Sequence, residues 1–267
     1  MINFNSESNT SLLQQVQNKQ ESVFEKLSSG KRINSAADGA AAQQIIDRLT
    51  TQVEGNRQSI SNAFDGVSLT QVAEGGLAGI NQDANRIREL SVQSGNGLLS
   101  DSDRQAIQSE VTQLQENISQ TIEQTEFAGK SLLSSDGNIN FQIGANAGQK
   151  IGVATKNVAA GLSDILNVDL STSQGAEDAL AKSDAATEFL GGARADLGAT
   201  QNQFESAARN LTQTDINISA ARSRIQDTDF AQAASENVAT GILSQTSLAV
   251  QGIANQQQGQ VLSLLNA

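Results

Sequence analysis

The sequence predicts a mainly α protein, an elongated bundle of long heptad-patterned helices formed by its N- and C-terminal segments, with a small β-hairpin in the middle. Three observations carry this reading. From Leu190 to Ile225 a large apolar residue stands at every seventh position (Leu190, Leu197, Phe204, Leu211, Ile218, Ile225), each followed three residues later by a small one (Ala193, Thr200, Ala207, Thr214, Ala221, Thr228). That is the a/d signature of a helix packed closely on a neighbour. The 267 residues contain no proline, an absence that suits long unbroken helices. Finally, from Ile139 the apolar period drops from about 3.6 to 2.

The elements follow in chain order. Leu13, Val16, Gln20, Val23 and Leu27 are spaced 3-4-3-4, a narrow stripe on a first helix that Gly30 stops. The connector Lys31 to Asp38 (KRINSAAD) offers Asn34 and Ser35 as caps for a helix through Ala42, Ile45, Ile46, Leu49 and Val53. That helix continues through Leu69, Ala73, Leu77, Ile80, Ala84 and Ile87, with local weakness or close packing expected at Gly55, Gly66, Gly75, Gly76 and Gly79. A turn at Gly95 to Ser102 (GNGLLSDS) supplies Ser100 or Ser102 as the cap of a helix striped by Ile107, Val111, Leu114, Ile118 and Ile122.

Ile139, Phe141 and Ile143, then Ile151 and Val153 beyond a GANAGQ turn, alternate as the two strands of a hairpin. Val158 to Gly175 reads as loop, and helix resumes near Ala176. The heptad helix, at about 1.5 Å per residue, makes a rod of roughly 54 Å that needs partner helices to bury its seam. In the tail, Leu243, Val250 and Leu264 keep a seven-residue spacing with Gln257 in the missing place. Both end segments are too weakly apolar to order alone, so each is expected to order against partners.

Composition narrows the chemistry. The absence of Cys and His excludes disulfides, zinc sites of the Cys/His kind and nucleophiles that depend on histidine. Net charge is −12 with no cluster of Lys or Arg, so no nucleic-acid footprint is present. No apolar run approaches a membrane span, and the first ten residues lack the features of a signal peptide. Paired carboxylates such as Glu123 and Glu126 read as a solvated helix face, and no GxSxG or GxxxxGK[ST] motif occurs. No enzymatic site, cofactor or metal is expected.

Five stretches in order, LSSGKRINSAAD (27–38), RIRELSVQ (86–93), QIGANAGQ (142–149), ARSRIQDTDFA (221–231) and ANQQQGQVLSLL (254–265), resemble bacterial flagellin in a short form without large outer domains. The resemblance implies a subunit exported unfolded by the flagellar type III apparatus and self-assembled outside the cell into the helical filament used for motility. On that reading, residues 1–42 and 227–267 pair as the inner filament core. Residues 43–226 form a helical rod, in which 130–175 stand in place of the variable outer domains.

The implied partners are other copies of the subunit, an export chaperone on the C-terminal tail, and cap and junction proteins. Leu13, Val16, Val23, Leu27, Leu243, Val250, Val261, Leu264 and Leu265 are the implied residues of inter-subunit packing. Arg86, Leu90 and Glu110 match positions through which the family is recognised by a vertebrate innate immune receptor. Val261, Leu262, Leu264 and Leu265 match a terminal motif read by an intracellular sensor. Ser and Thr between Ser134 and Ser173 are candidate positions for O-linked glycans. Read structurally, Arg86 and Glu110 are solvated faces and Leu90 the edge of a core. The competing functions are a hook-filament junction protein with related terminal helices, and a monomeric acidic helical binding module or enzyme.

Overall fold

The computed structural model describes the backbone of residues 4–265 and the side chains of residues 11–253 and Gln256. Its elements are α1 (Phe4–Ser29), α2 (Ala36–Ser94), α3 (Asp101–Gln124), β1 (Glu126–Phe127), β2 (Lys130–Ser131), β3 (Gly137–Gln142), β4 (Lys150–Thr155), α4 (Val158–Gly161), α5 (Ser163–Leu166), α6 (Ser173–Gln226) and α7 (Phe230–Leu265). They form two compact units, one of residues 1–53 with 216–267 and the other of residues 54–215. The division falls inside α2 and α6, later along α2 and earlier along α6 than the 42/43 and 226/227 division the sequence suggested.

In the unit of residues 54–215, α2, α3 and α6 bury one continuous core. Leu69, Leu77, Ile80, Ile87 and Leu90 come from α2, Ile107, Val111, Ile118 and Ile122 from α3, and Leu190, Leu197 and Phe204 from α6. The heptad of α6 begins earlier than its large residues indicate. Ala176, Ala179, Ser183 and Ala186 are buried in the same register, their small side chains letting neighbouring helices close in. Further along, Leu211, Ile218 and Ile225 are only half-buried.

Strand β3 pairs antiparallel with β4 in the register Ile139↔Val153 and Phe141↔Ile151. Phe141 meets Phe204 edge to face, centroids 5.4 Å apart, and Asn62 donates to the Gln142 carbonyl at 2.8 Å, so the hairpin is tied to both long helices. Of the α2 glycines, Gly55, Gly66 and Gly76 are sites of close packing, against Ala145, the Phe204 ring and Thr125 respectively, while Gly75 and Gly79 face open space. The expected loop at 158–175 is instead largely structured. It forms the helical turns α4 and α5 and buries Val158, Leu162, Ile165, Val168 and Leu170. Spaced 4-3-3-2, these five side chains anchor the segment to the core. A two-residue hairpin, β1 with β2, precedes it.

Helix α3 starts with a capping box. Asp103 N–H donates to Ser100 Oγ (3.3 Å), and Ser100 N–H donates to the Asp103 carboxylate (3.0 Å). The Ser100 contacts hold the Asp103 carboxyl below its ordinary range, the hydroxyl contributing most and the backbone N–H next. At the start of α2, Asp38 does the capping in place of Asn34 and Ser35. Its Oδ2 accepts from Ser35 N (2.9 Å) and Asn34 N (3.0 Å), and these backbone bonds lower its pKa.

A carboxylate with a lowered pKa stabilises the fold fully above the ordinary carboxylate range and loses that contribution as pH falls through its folded value. Helix content followed by circular dichroism is therefore expected to fall on acidification below the ordinary range of aspartate. Asp103→Asn should flatten that loss, and Ser100→Ala should cost about 1 kcal/mol at neutral pH by urea unfolding.

Candidate assembly surface

In the unit built from the two chain ends, α1 lies against α7. Its least exposed face is the predicted stripe, with Val23 buried and Leu13, Val16, Gln20 and Leu27 half-buried. Lys19 of α1 pairs with Glu236 of α7 at 3.1 Å. The first helix ends at Gly30, whose φ of +68° is the left-handed stop that favours glycine. The KRINSAAD connector then clips onto the α6–α7 link. Arg32 N–H donates to the Gln226 carbonyl (2.6 Å), its guanidinium to the Ile225 carbonyl (2.8 Å), and Thr228 N–H to the Gly30 carbonyl (3.1 Å). The sequence motif thus has a mechanical role, fixing where α7 begins relative to α1.

The side chains of α7 are distributed in an unusual way. Its least exposed positions run 4-3-4-3-4 through Ala233, Asn237, Thr240, Ser244, Ser247 and Gln251, a heptad seam of small and polar residues. At 3.6 residues per turn, Val238, Ile242 and Ile253 lie on the opposite face, with Leu243 and Val250 on one flank and Phe230 and Leu248 on the other. All seven are about half exposed or more. A helix of a globular domain turns its apolar stripe inward; α7 turns its small seam inward and its large apolar residues outward. Leu243 and Val250, which the flagellin resemblance implies pack between subunits, are among these exposed residues. Phe24 and Leu12 add exposed apolar surface on α1. Burying seven such side chains is worth on the order of 10 kcal/mol, a capacity that a single chain leaves unused. The side chains of Val261, Leu262, Leu264 and Leu265 lie outside the described residues.

Charge is divided between the two units. Residues 1–53 with 216–267 carry seven basic and eight acidic residues, and residues 54–215 carry ten and twenty-one. The end unit is therefore nearly neutral, whereas the other holds most of the net −12.

Arg86 and Glu110 meet on the surface, with guanidinium nitrogens 2.9 and 3.0 Å from one carboxylate oxygen, and Arg86 also reaches Glu89 at 2.9 Å. Those partners, Glu89 first, raise the Arg86 pKa. Exposed pairs of this kind add little stability. Leu90, grouped with them from sequence, is instead 1% exposed and part of the core, so only Arg86 and Glu110 of the three are reachable in a single subunit.

No arrangement for catalysis emerges among the described residues. Among the described residues no group of three or more acidic side chains stands together as a metal site, and no helix is long and apolar enough to cross a membrane. A cavity of about 40 Å³ beneath the Lys156–Asp196 pair, lined by Leu77, Leu133, Val153 and Leu197, is far smaller than a ligand pocket.

Comparison with known proteins points the same way as the outward face of α7. The family model of the bacterial flagellin N-terminal helical region matches residues 2–138, and that of the C-terminal helical region matches residues 180–265. A flagellin of Halalkalibacterium halodurans is 37% identical over 93% of this chain and 92% of its own length. A flagellar filament 30.7 kDa core protein of Treponema maltophilum is also 37% identical, over 91% of each chain. Among solved structures, that of a putative flagellar hook-associated protein from Vibrio parahaemolyticus superposes with a TM-score of 0.61 at 13% identity, covering 71% of this chain and 100% of its own, a likeness of fold alone. With both family regions present and over a third of positions identical along nearly the whole length, the chain belongs to the bacterial flagellin family.

Proposed function

We propose that this protein is a structural subunit of the extracellular flagellar filament and polymerises with other copies of itself through the outward apolar face of α7. The observation that carries the reading is the inversion of that helix. Large apolar residues point away from the subunit's own fold along its described length, a surface of the kind that marks a partner site. The family is a structural one, and the subunit is a filament protein rather than an enzyme.

The junction-protein alternative rests on a fold shared with hook-associated proteins, whereas the identity to flagellins extends over both chain ends. Electron microscopy of the full chain, seeded with short filament fragments, is expected to show long filaments. A version lacking residues 1–30 and 230–267 should give none. Rings or monomers from the full chain would overturn the filament reading.

The finer steps are part of the same proposal. The chain passes unfolded through the flagellar type III apparatus, a route suited to a sequence without Cys or Pro. A chaperone covers the apolar C-terminal helix before export, and cap and junction proteins meet the assembled ends. Recognition by a host innate immune receptor rests on Arg86 and Glu110, which contribute little to stability and are exposed, while buried Leu90 supports the surface from below. Monomers are expected to bind the receptor and intact filaments not. Arg86→Ala should weaken monomer binding without changing the melting temperature, and equal binding by filaments would refute the assignment.

A further inference from the structure

The turn between α2 and α3 holds Asn96–Gly97, the only Asn-Gly pair in the sequence, and it lies outside the α7 face proposed above for assembly. We propose that Asn96 is a site of spontaneous self-modification, converting to isoaspartate under the direction of the turn's own hydrogen bonds. In this chemistry the Gly97 nitrogen, after losing its proton to water, attacks the Asn96 side-chain carbon Cγ. The Cγ–Nδ2 bond breaks, ammonia leaves, and a five-membered imide remains. One water then opens the ring, so the net change is Asn plus water to isoaspartate or aspartate plus ammonia.

Each requirement of the first step is present. Asn96 and Gly97 are exposed to water. Gly97 has no Cβ to obstruct its nitrogen, and a Cβ built there would meet nothing within 4 Å, so the segment is uncrowded. None of the hydrogen bonds of the described residues engages the Gly97 nitrogen as donor. Leu98 N–H donates to Asn96 Oδ1 at 3.1 Å. That bond folds the side chain over the attacking nitrogen and draws electrons from Cγ, as an oxyanion-type donor does.

The second step has its own director. The guanidinium of Arg104, a residue only 7% exposed, clamps three backbone carbonyls: Ser94, Asn96 (3.1 Å) and Leu99 (3.4 Å). The main-chain carbonyl of Asn96, which also accepts from Leu99 N–H at 3.2 Å, is thereby the more polarised of the two imide carbonyls. Water attack there breaks its bond to the Gly97 nitrogen and turns it into a free carboxylate already seated against Arg104. The chain then runs on through Cβ and Cγ, which is isoaspartate. Hydrolysis at Cγ, giving aspartate, has only the neutral Leu98 N–H on its carbonyl and no cation. The product adds a negative charge and one backbone atom to the turn that leads into the capping box of α3.

The test is to incubate the full chain, folded, in warm mildly alkaline buffer and to follow each Asn by peptide mass and by isoaspartate-specific methyltransferase labelling. A parallel sample is held in urea. Conversion at Asn96 is expected to exceed that at Asn146, another exposed turn asparagine, by roughly tenfold, and Gly97→Ala should slow it by a similar factor. The isoaspartate-to-aspartate ratio should be higher in the folded sample than in urea, and Arg104→Lys, checked for native helix content, should lower it toward the urea value. Conversion at Asn96 no faster than at Asn146 would overturn the site, and an identical product ratio in folded and unfolded chain would overturn the direction by Arg104.

Discussion

Replacing Val238, Ile242 and Ile253 together by aspartate is expected to abolish seeded filament growth while leaving the subunit as stable as before. All three side chains project from the face of α7 opposite its seam, and each is about 60% exposed. Their replacement removes little from the isolated fold, where surface changes away from special features stay within about 0.5 kcal/mol. In a polymer the same positions would bury three unpaired carboxylates per subunit, each costing several kcal/mol. The measurement pairs a urea melt of the monomer with sedimentation after seeding. An unchanged pelleting fraction would show that another surface carries assembly. Thr240→Leu, on the seam, should do the reverse. It enlarges a 2% exposed position facing α1, forces the two helices apart, and lowers the stability of the end unit by about 1 to 3 kcal/mol.

The second large effect is expected in the other unit, where Phe204→Ala should cost about 3 to 5 kcal/mol. Phe204 is completely buried, is approached edge-on by Phe141 of the hairpin, and has its ring laid on the α2 backbone at Gly66, where a methyl group would collide with it. Gly66→Ala should therefore also destabilise, by about 1 to 3 kcal/mol. In the Phe204→Ala background the added methyl enters vacated space, so the double variant should be more stable than the sum of the single effects predicts. Additive losses in urea melts would show that the ring does not rest on the helix there.

The two regions differ in how much the sequence disclosed. In the core unit the large residues at seven-residue spacing marked a seam that is buried from Leu190 to Phe204, and the two-residue alternation located the β3–β4 hairpin. The missed parts were quiet for physical reasons. Ala176 and Ser183 continue the heptad with side chains too small to stand out, and the Val158, Leu162 and Ile165 anchors sit in a stretch whose Ser and Gly content suggests a loop. In α7 the spacing of Leu243 and Val250 was legible, and the resemblance assigned them to packing between subunits; the seam that faces α1 was not legible. Hydrophobic spacing shows where burial is most favourable, and on the proposed assembly that burial lies in another copy. The seam facing α1 is made of Ala, Asn, Thr, Ser and Gln, which no hydrophobic pattern singles out. Leu90, read from sequence as the edge of a core, lies in its interior, because its helix position matches Ile87 and Ile80.

The uneven charge of the two units makes the subunit resemble a surfactant more than a uniformly charged colloid. The cohesive end segments are almost neutral, and the repulsion resides in residues 54–215. Such a molecule has a threshold concentration for association that added salt lowers, because ions screen the repulsive part within a Debye length and leave the apolar part undiminished. On the proposed assembly through α7, the composition of residues 54–215 therefore sets how readily filaments form.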